Sequence, residues 1–224
     1  MTDDMGGGDV LAFAPAQPSR VAPTLTVDAI HLWWLPYRHG SGRAPLRQVL
    51  ATYLDHAPES LRFIENAHGR PVLADHSDLD FNWSHSGEHA MIAVARRLPE
   101  LGVDIEQERP RPRVLALAQR FFAKNEYVAL CALPEADRLR AFIQLWTAKE
   151  AVLKAHGHGL AYGMEHVAFT LHDDMTRPHR FVGDIGPIDP WHFRSLLPAS
   201  HLSGTLAWRG SLRHLQAYRL LDED

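Results

Sequence analysis

The hydrophobic period changes twice along this chain, and those changes limit what it can fold into. Up to about residue 106 the apolar residues recur in short β-branched and aromatic runs. Residues 111–156 then read as helix, and short alternating runs return from about residue 165. Each half therefore carries helix and several strands, which predicts an α+β chain of two similar-sized lobes. The 224 residues suit one large domain or two small ones, and 46% hydrophobic residues supply a sizeable core. Disorder as the default state is excluded.

Residues 1–20 hold Gly6-Gly7-Gly8, Pro15 and Pro18 without periodicity and read as a flexible tail. The lobes are expected over 21–106 and 107–224. In the first, Thr24–Leu35 reads as a strand, and Pro45 opens a helix carrying Leu46, Val49, Leu50, Tyr53 and Leu54. Short strands are expected at 61–64, 71–74 and 80–84, and clearer ones at Ala90–Arg96 and Leu101–Glu106. The helical stretch is broken near Ala123 and Pro134, and its last piece runs from about Ala136 to His156, with Gly157 as its C′ residue. Strands follow at 165–171, 179–183, 203–208 and 214–220.

Composition narrows the function classes. A net charge of −4 offers no global positive field for a nucleic-acid backbone. No run approaches the ~20 apolar residues of a membrane helix, and the acidic start Met1-Thr2-Asp3-Asp4 is unlike a secretory signal. The single Cys131 excludes an internal disulfide framework and cysteine-cluster metal sites, and a cytoplasmic location is expected. Neither a phosphate-binding P-loop, nor a G-x-S-x-G elbow, nor a zinc-protease helix is present. Only three lysines, Lys124, Lys149 and Lys154, stand among 23 Lys+Arg.

Three segments carry chemistry. In Leu101-Gly102-Val103-Asp104-Ile105-Glu106 a period of two puts Leu101, Val103 and Ile105 on one face and Gly102, Asp104 and Glu106 on the other. Two carboxylates so close repel unless a cation lies between them, and a hard divalent ion such as Mg²⁺ fits; a solvated strand face is the alternative. In Phe142–Lys154, Lys149 falls in the middle of the apolar stripe, while Glu150 and Lys154 share its flank. A buried ammonium needs an anionic partner, so this set suits a site for a metal and a phosphate; a core helix with one surface ion pair is the alternative. In Phe81-Asn82-Trp83-Ser84-His85-Ser86 the aromatic residues take one face and Asn and Ser the other. That edge could bind phosphate or simply form a structural turn.

The ordered strings FNWSHS, LGVDIE, FFAKNEY and LWTAKEAVLKAHGHGL resemble the 4′-phosphopantetheinyl transferases of the surfactin-synthetase-activating type, across roughly residues 68–170. Trp146 to Ala151 is similar to the family's Trp/Lys-Glu-Ala branch. The resemblance implies transfer of the phosphopantetheine arm of coenzyme A to a serine of an apo acyl or peptidyl carrier protein, with Mg²⁺ (or Mn²⁺) as the metal. It implies a pseudo-two-fold pair of lobes with the site in the cleft. By motif, Asp104, Glu106 and Glu150 would hold the metal, with Glu150 as base for the carrier serine and Lys154 at the pyrophosphate. Lys149 would hold coenzyme A phosphates, Ser84 and His85 the nucleotide end, and Arg70 the 3′-phosphate. Arg43 is similar to the arginine opening the first-lobe helix. His31–Gly42 lacks the family's usual basic stretch. A monomer is expected, with neither nucleic acid nor membrane as partner. Arg109, Arg111, Arg113, Arg120 and Lys124 form a candidate docking face for an acidic carrier. The alternative function is a non-catalytic module binding coenzyme A or carrier.

Overall fold

Alternate residues of the strand Ala29–Pro36 are buried on both sides: Ile30 and Leu32 on one, His31, Trp33 and Leu35 on the other. Such a strand must lie in the middle of a layered structure. The computed structural model describes residues 11–172 and 175–221. In chain order the first part holds β1 (Ala14–Ala16), α1 (Pro18–Val21), β2 (Ala29–Pro36) and α2 (Ala44–Leu54). Next come β3 (Phe63–Glu65), β4 (Pro71–Leu73), β5 (Leu79–Ser86), β6 (His89–Arg96) and β7 (Leu101–Gln107). Three helices follow, α3 (Val114–Phe121), α4 (Lys124–Ala132) and α5 (Glu135–His156). The last strands are β8 (Val167–His172), β9 (Met175–Phe181), β10 (Trp191–Ala199), β11 (Leu202–Arg209) and β12 (His214–Leu220). The fold class is α+β, as the sequence indicates.

Five strands form one sheet in the order β1-β12-β2-β6-β5, and three form another in the order β10-β11-β7. One face of the larger sheet packs under α2 through Trp33, Leu35, Ile92 and Val94 against Leu46, Val49 and Leu50. Its other face meets the smaller sheet across a core of Ile30, Leu32, Met91, Val103, Ile105 and Leu206. A third core lies under α3, α4 and α5, where Phe142, Leu145, Val152 and Phe169 are buried.

Two departures from the sequence reading have a common cause in long-range pairing. The expected tail is built into the fold from Ala14 onward: β1 pairs in parallel with β12, and Pro18 opens α1; residues 1–10 lie outside the described residues. Strand β10 was not anticipated because Pro198 interrupts its pattern. It is an edge strand, and its pairing with β11 shifts register between Leu196 and Ala199, where a proline is tolerated. Two strands also cross the 106/107 division. β7 pairs with β11, and β12 returns to run parallel with β2.

Helix α5 closes onto β7 at Gly102. A Cβ there would fall on the Ala151 carbonyl oxygen and lie 2.6 Å from the Ala155 nitrogen, so only glycine admits the helix backbone this closely. Gly102→Ala is expected to cost about 1–3 kcal/mol, a fall in Tm of roughly 2–10 °C. An unchanged Tm in thermal denaturation would show that the helix does not rest there.

His31 provides a pH signature. The Trp33 indole donates to the Tyr53 hydroxyl at 2.8 Å, and Tyr53 meets His31 Nδ1 at 2.8 Å. Burial drives the His31 pKa down to about 4; Tyr53 and Tyr218, the aromatic groups facing it, are pushed up by burial and stay neutral. Above pH 6.5 His31 is neutral folded or unfolded. As pH falls from 6.5 to about 4 the unfolded chain takes a proton the folded chain refuses, and stability is lost. The Tm of His31→Gln should fall less over that window than the wild-type Tm; parallel curves would contradict this.

Candidate active site

The site is built where β5 packs against β7. These strands belong to different sheets, and side chains rather than a main-chain ladder join them. Asn82 Oδ1 accepts the Val103 N–H at 2.9 Å, and Ser86 Oγ accepts the Gln107 N–H at 3.1 Å. Ser84 Oγ donates to Asp104 Oδ1 at 2.7 Å, and Ser86 Oγ donates to Glu106 Oε2 at 2.8 Å. Alternation is the reason these groups meet. Asn82, Ser84 and Ser86 share one face of β5, and Gly102, Asp104 and Glu106 share one face of β7.

Because Gly102 lets α5 sit close, the helix delivers Glu150 and Lys154 to the same line. Lys154 Nζ donates to Asp104 Oδ1 at 2.6 Å and to Ser84 Oγ at 3.0 Å. Arg111 donates to Glu106 Oε2 at 2.8 Å. The second oxygen of Asp104, Oδ2, is buried with no hydrogen-bond partner among the described residues. Glu150 feels both neighbours. Burial first, then the Asp104 charge, push its pKa up to about 7, with Lys154 opposing and Glu106 adding to the rise. A carboxyl at that value exchanges protons at neutral pH. The three acids are not drawn into a tight cluster. Among the described residues, the only three ligating groups with atoms within 4.8 Å of one another are His156, His158 and Asp184.

Six of the nine residues singled out in the sequence therefore share one neighbourhood: Ser84, His85, Asp104, Glu106, Glu150 and Lys154. His85 is exposed and stacks on Tyr37 at 4.3 Å; partial desolvation first, then the Lys154 charge, lower its pKa from the ordinary imidazole value. Arg43 stands at the start of α2, paired with Glu65 at 3.2 Å. Lys149 departs most from its expected place. It is fully buried, 2.6 Å from Glu126 Oε2, and donates to the carbonyls of Met164 and Val167. Three acceptors match the three hydrogens of an ammonium, so Lys149 has none left for a phosphate. Its partner Glu126 also accepts the Ala123 and Phe169 N–H groups, at 2.8 Å each. Arg70 likewise spends its Nη groups on the carbonyls of Ala155 (2.6 Å), Leu101 (3.0 Å) and Phe81 (3.4 Å), bolting the end of α5 to β5 and β7.

Sequence reasoning did not single out Asn82, Ser86 and Arg111 as site residues. The first two were legible in principle, because an Asn/Ser/Ser face matches an Asp/Glu face only if the strands lie together. Arg111 stood in the candidate docking stretch, and its ion pair with Glu106 ties part of that stretch to the site.

Residues 100–206 match the 4′-phosphopantetheinyl transferase superfamily, a range containing β7 and α5. HetI, a 4′-phosphopantetheinyl transferase of Nostoc, is 40% identical over 176 residues, which cover 77% of this chain and 71% of HetI. A putative 4′-phosphopantetheinyl transferase of Synechocystis is 37% identical over 155 residues, covering 68% of this chain and 61% of that protein. Sfp of Bacillus subtilis is 32% identical over 133 residues, covering 59% of this chain and 58% of Sfp. The matched stretches thus span about three fifths of two of these relatives and rather more of HetI. The chain belongs to the 4′-phosphopantetheinyl transferase family.

Proposed function

We propose that this chain transfers the 4′-phosphopantetheine arm of coenzyme A to a serine of an apo acyl or peptidyl carrier protein, releasing adenosine 3′,5′-bisphosphate. The observation that carries the reading is the carboxylate set on β7 and α5, with a buried Asp104 oxygen left bare and Glu150 raised to about 7. Lys154 and Arg111 each neutralise one acid, and a cation would serve the bare Asp104 oxygen together with Glu150. The donors are all carboxylate oxygens, which fits Mg²⁺, or Mn²⁺ on the same oxygens. Asp104, Glu106 and Glu150 would hold the ion. Once bound, it supplies Lewis-acid neutralisation of pyrophosphate charge.

The chain's own residues do the rest. Ser84 and Ser86 hold Asp104 and Glu106 in place. Glu150 takes the proton of the carrier serine as its oxygen attacks phosphorus. Lys154 lies beside Asp104 and Ser84, where its ammonium can meet pyrophosphate oxygens and return a proton to the leaving phosphate. Ser84 and His85 line the nucleotide end, and Arg43 can turn from its exposed pair with Glu65 toward a phosphate. Lys149 and Arg70 act as structural bolts in this reading, not as phosphate ligands. The lobes divide near residues 106 and 107, each sheet borrowing a strand across the division. The same reading takes the protein as a cytoplasmic monomer without nucleic-acid or membrane partners. Composition supports it, and no described helix is long and apolar enough to cross a membrane.

With Mg²⁺ and coenzyme A, an apo carrier protein should gain ~340 Da in intact-mass spectrometry. No gain on any of a panel of carriers would reject the activity and leave a binding module. Glu150→Gln should lower turnover roughly 10²–10⁴-fold, the usual worth of a general base, and change coenzyme A affinity far less; equal losses in both would remove it from the base role. Lys149→Met should lower Tm sharply, since breaking a buried pair costs about 3–5 kcal/mol. The KM for coenzyme A should stay within about twofold. A large rise in that KM with an unchanged Tm would restore Lys149 as a phosphate ligand.

A further inference from the structure

The turn that ends α5 carries a second cluster of ligating groups, outside the carboxylate set. Gly157 takes φ +91° as the C′ residue. In an unbroken helix residues i and i+2 face apart. The left-handed turn instead brings the rings of His156 and His158 into a stack, 4.4 Å between centroids and 19° between planes. Asp184, in the 3-10 turn Gly183–Ile185, stands against them, with Oδ1 3.7 Å from His156 Nε2. One ligating atom from each of the three residues lies within 4.8 Å of the others.

The cluster is incomplete as it stands. The His156 side chain is only 9% exposed, and the Nδ1 atoms of both His156 and His158 are buried with no hydrogen-bond partner. A buried polar atom left bare costs about 1–3 kcal/mol. Burial, ahead of every other influence, lowers the His156 pKa from its ordinary value. Other aromatic rings surround the pair. Tyr162 packs edge-on to both imidazoles at 5.1 and 5.7 Å, and His68 stacks on His158 at 3.6 Å. The negative end of a long helix also favours a cation.

We infer that His156, His158 and Asp184 form a site for a divalent transition metal, best matched by Zn²⁺, that ties the end of α5 to the Gly183–Ile185 turn. Two imidazoles and one carboxylate make a mixed nitrogen and oxygen donor set suited to Zn²⁺, with a fourth position for water. Mg²⁺ prefers the all-oxygen set on β7 and α5. Drawing the atoms in to the ~3.4 Å edge of a tetrahedron with ~2.1 Å bonds takes a rotation of Asp184, whose side chain is 65% exposed, and a turn of the His158 ring out of its stack, so that both in-plane lone pairs reach one ion. The site is independent of the transferase reading and has no part in it.

The test uses the full chain stripped of metal, with millimolar Mg²⁺ added to mask the carboxylates, titrated with Zn²⁺ against a chromophoric chelator. One equivalent should bind and raise Tm by several degrees. His158→Gln and Asp184→Asn should each weaken that binding at least tenfold; Asp184 is exposed and His158 half-buried, and circular dichroism checks that both variants fold. Co²⁺ in place of Zn²⁺ should give the visible absorption of a tetrahedral site in the wild type and lose it in both variants. Absence of a competing equivalent, or its survival in either variant, overturns the site.

Discussion

The line where β5 meets β7 depends on side chains doing what main chains do elsewhere in a sheet. Asn82 and Ser86 accept N–H groups of β7, and Ser84 and Ser86 donate to its two carboxylates. Because the two strands form no ladder with each other, Asp104 and Glu106 take donors from the β5 side chains Ser84 and Ser86. As it is, the join between two sheets is also the place where acidic oxygens are oriented. Buried hydrogen bonds to carboxylates are worth more than neutral ones, so one set of contacts both joins the sheets and prepares the chemistry.

Helix α5 turns that seam into a site. It approaches closely because Gly102 has no side chain, and Arg70 and Lys149 pin it on either side. Lys149 is fully buried and occupied by two carbonyls and Glu126, and both Nη groups of Arg70 are spent on carbonyls. Their charge serves architecture, and Lys154 is left as the lysine that reaches the carboxylates. Rigid support of this kind matters for a group such as Glu150, whose pKa is raised by its burial first and by Asp104 and Glu106 held near it.

Much of this was legible in the chain. Alternation in Leu101–Glu106 and in Phe81–Ser86 assigns the faces correctly, because a strand's period of two leaves little freedom. Gly157 marks the end of α5 to the residue. What the pattern could not show was which distant groups meet. Lys149 reads as an unexplained charge in an apolar stripe, and its partner Glu126 lies on another helix. Arg70 reads, by resemblance, as the holder of a 3′-phosphate, yet it reaches carbonyls of β5, β7 and α5. The parallel return of β12 to β2, and β1 to β12, depends on pairing between the two ends of the chain, and no local signal reports that. Local periodicity sets the face a residue occupies, while tertiary packing sets what it touches there.

The central claim is that acids from β7 and from α5 serve one divalent ion. Crystals grown with Mn²⁺ and measured at a wavelength where manganese scatters anomalously test it most directly. One peak bound by oxygens of Asp104, Glu106 and Glu150 is the expected result. A peak bound by neither strand nor helix, or by only one of them, would contradict the claim.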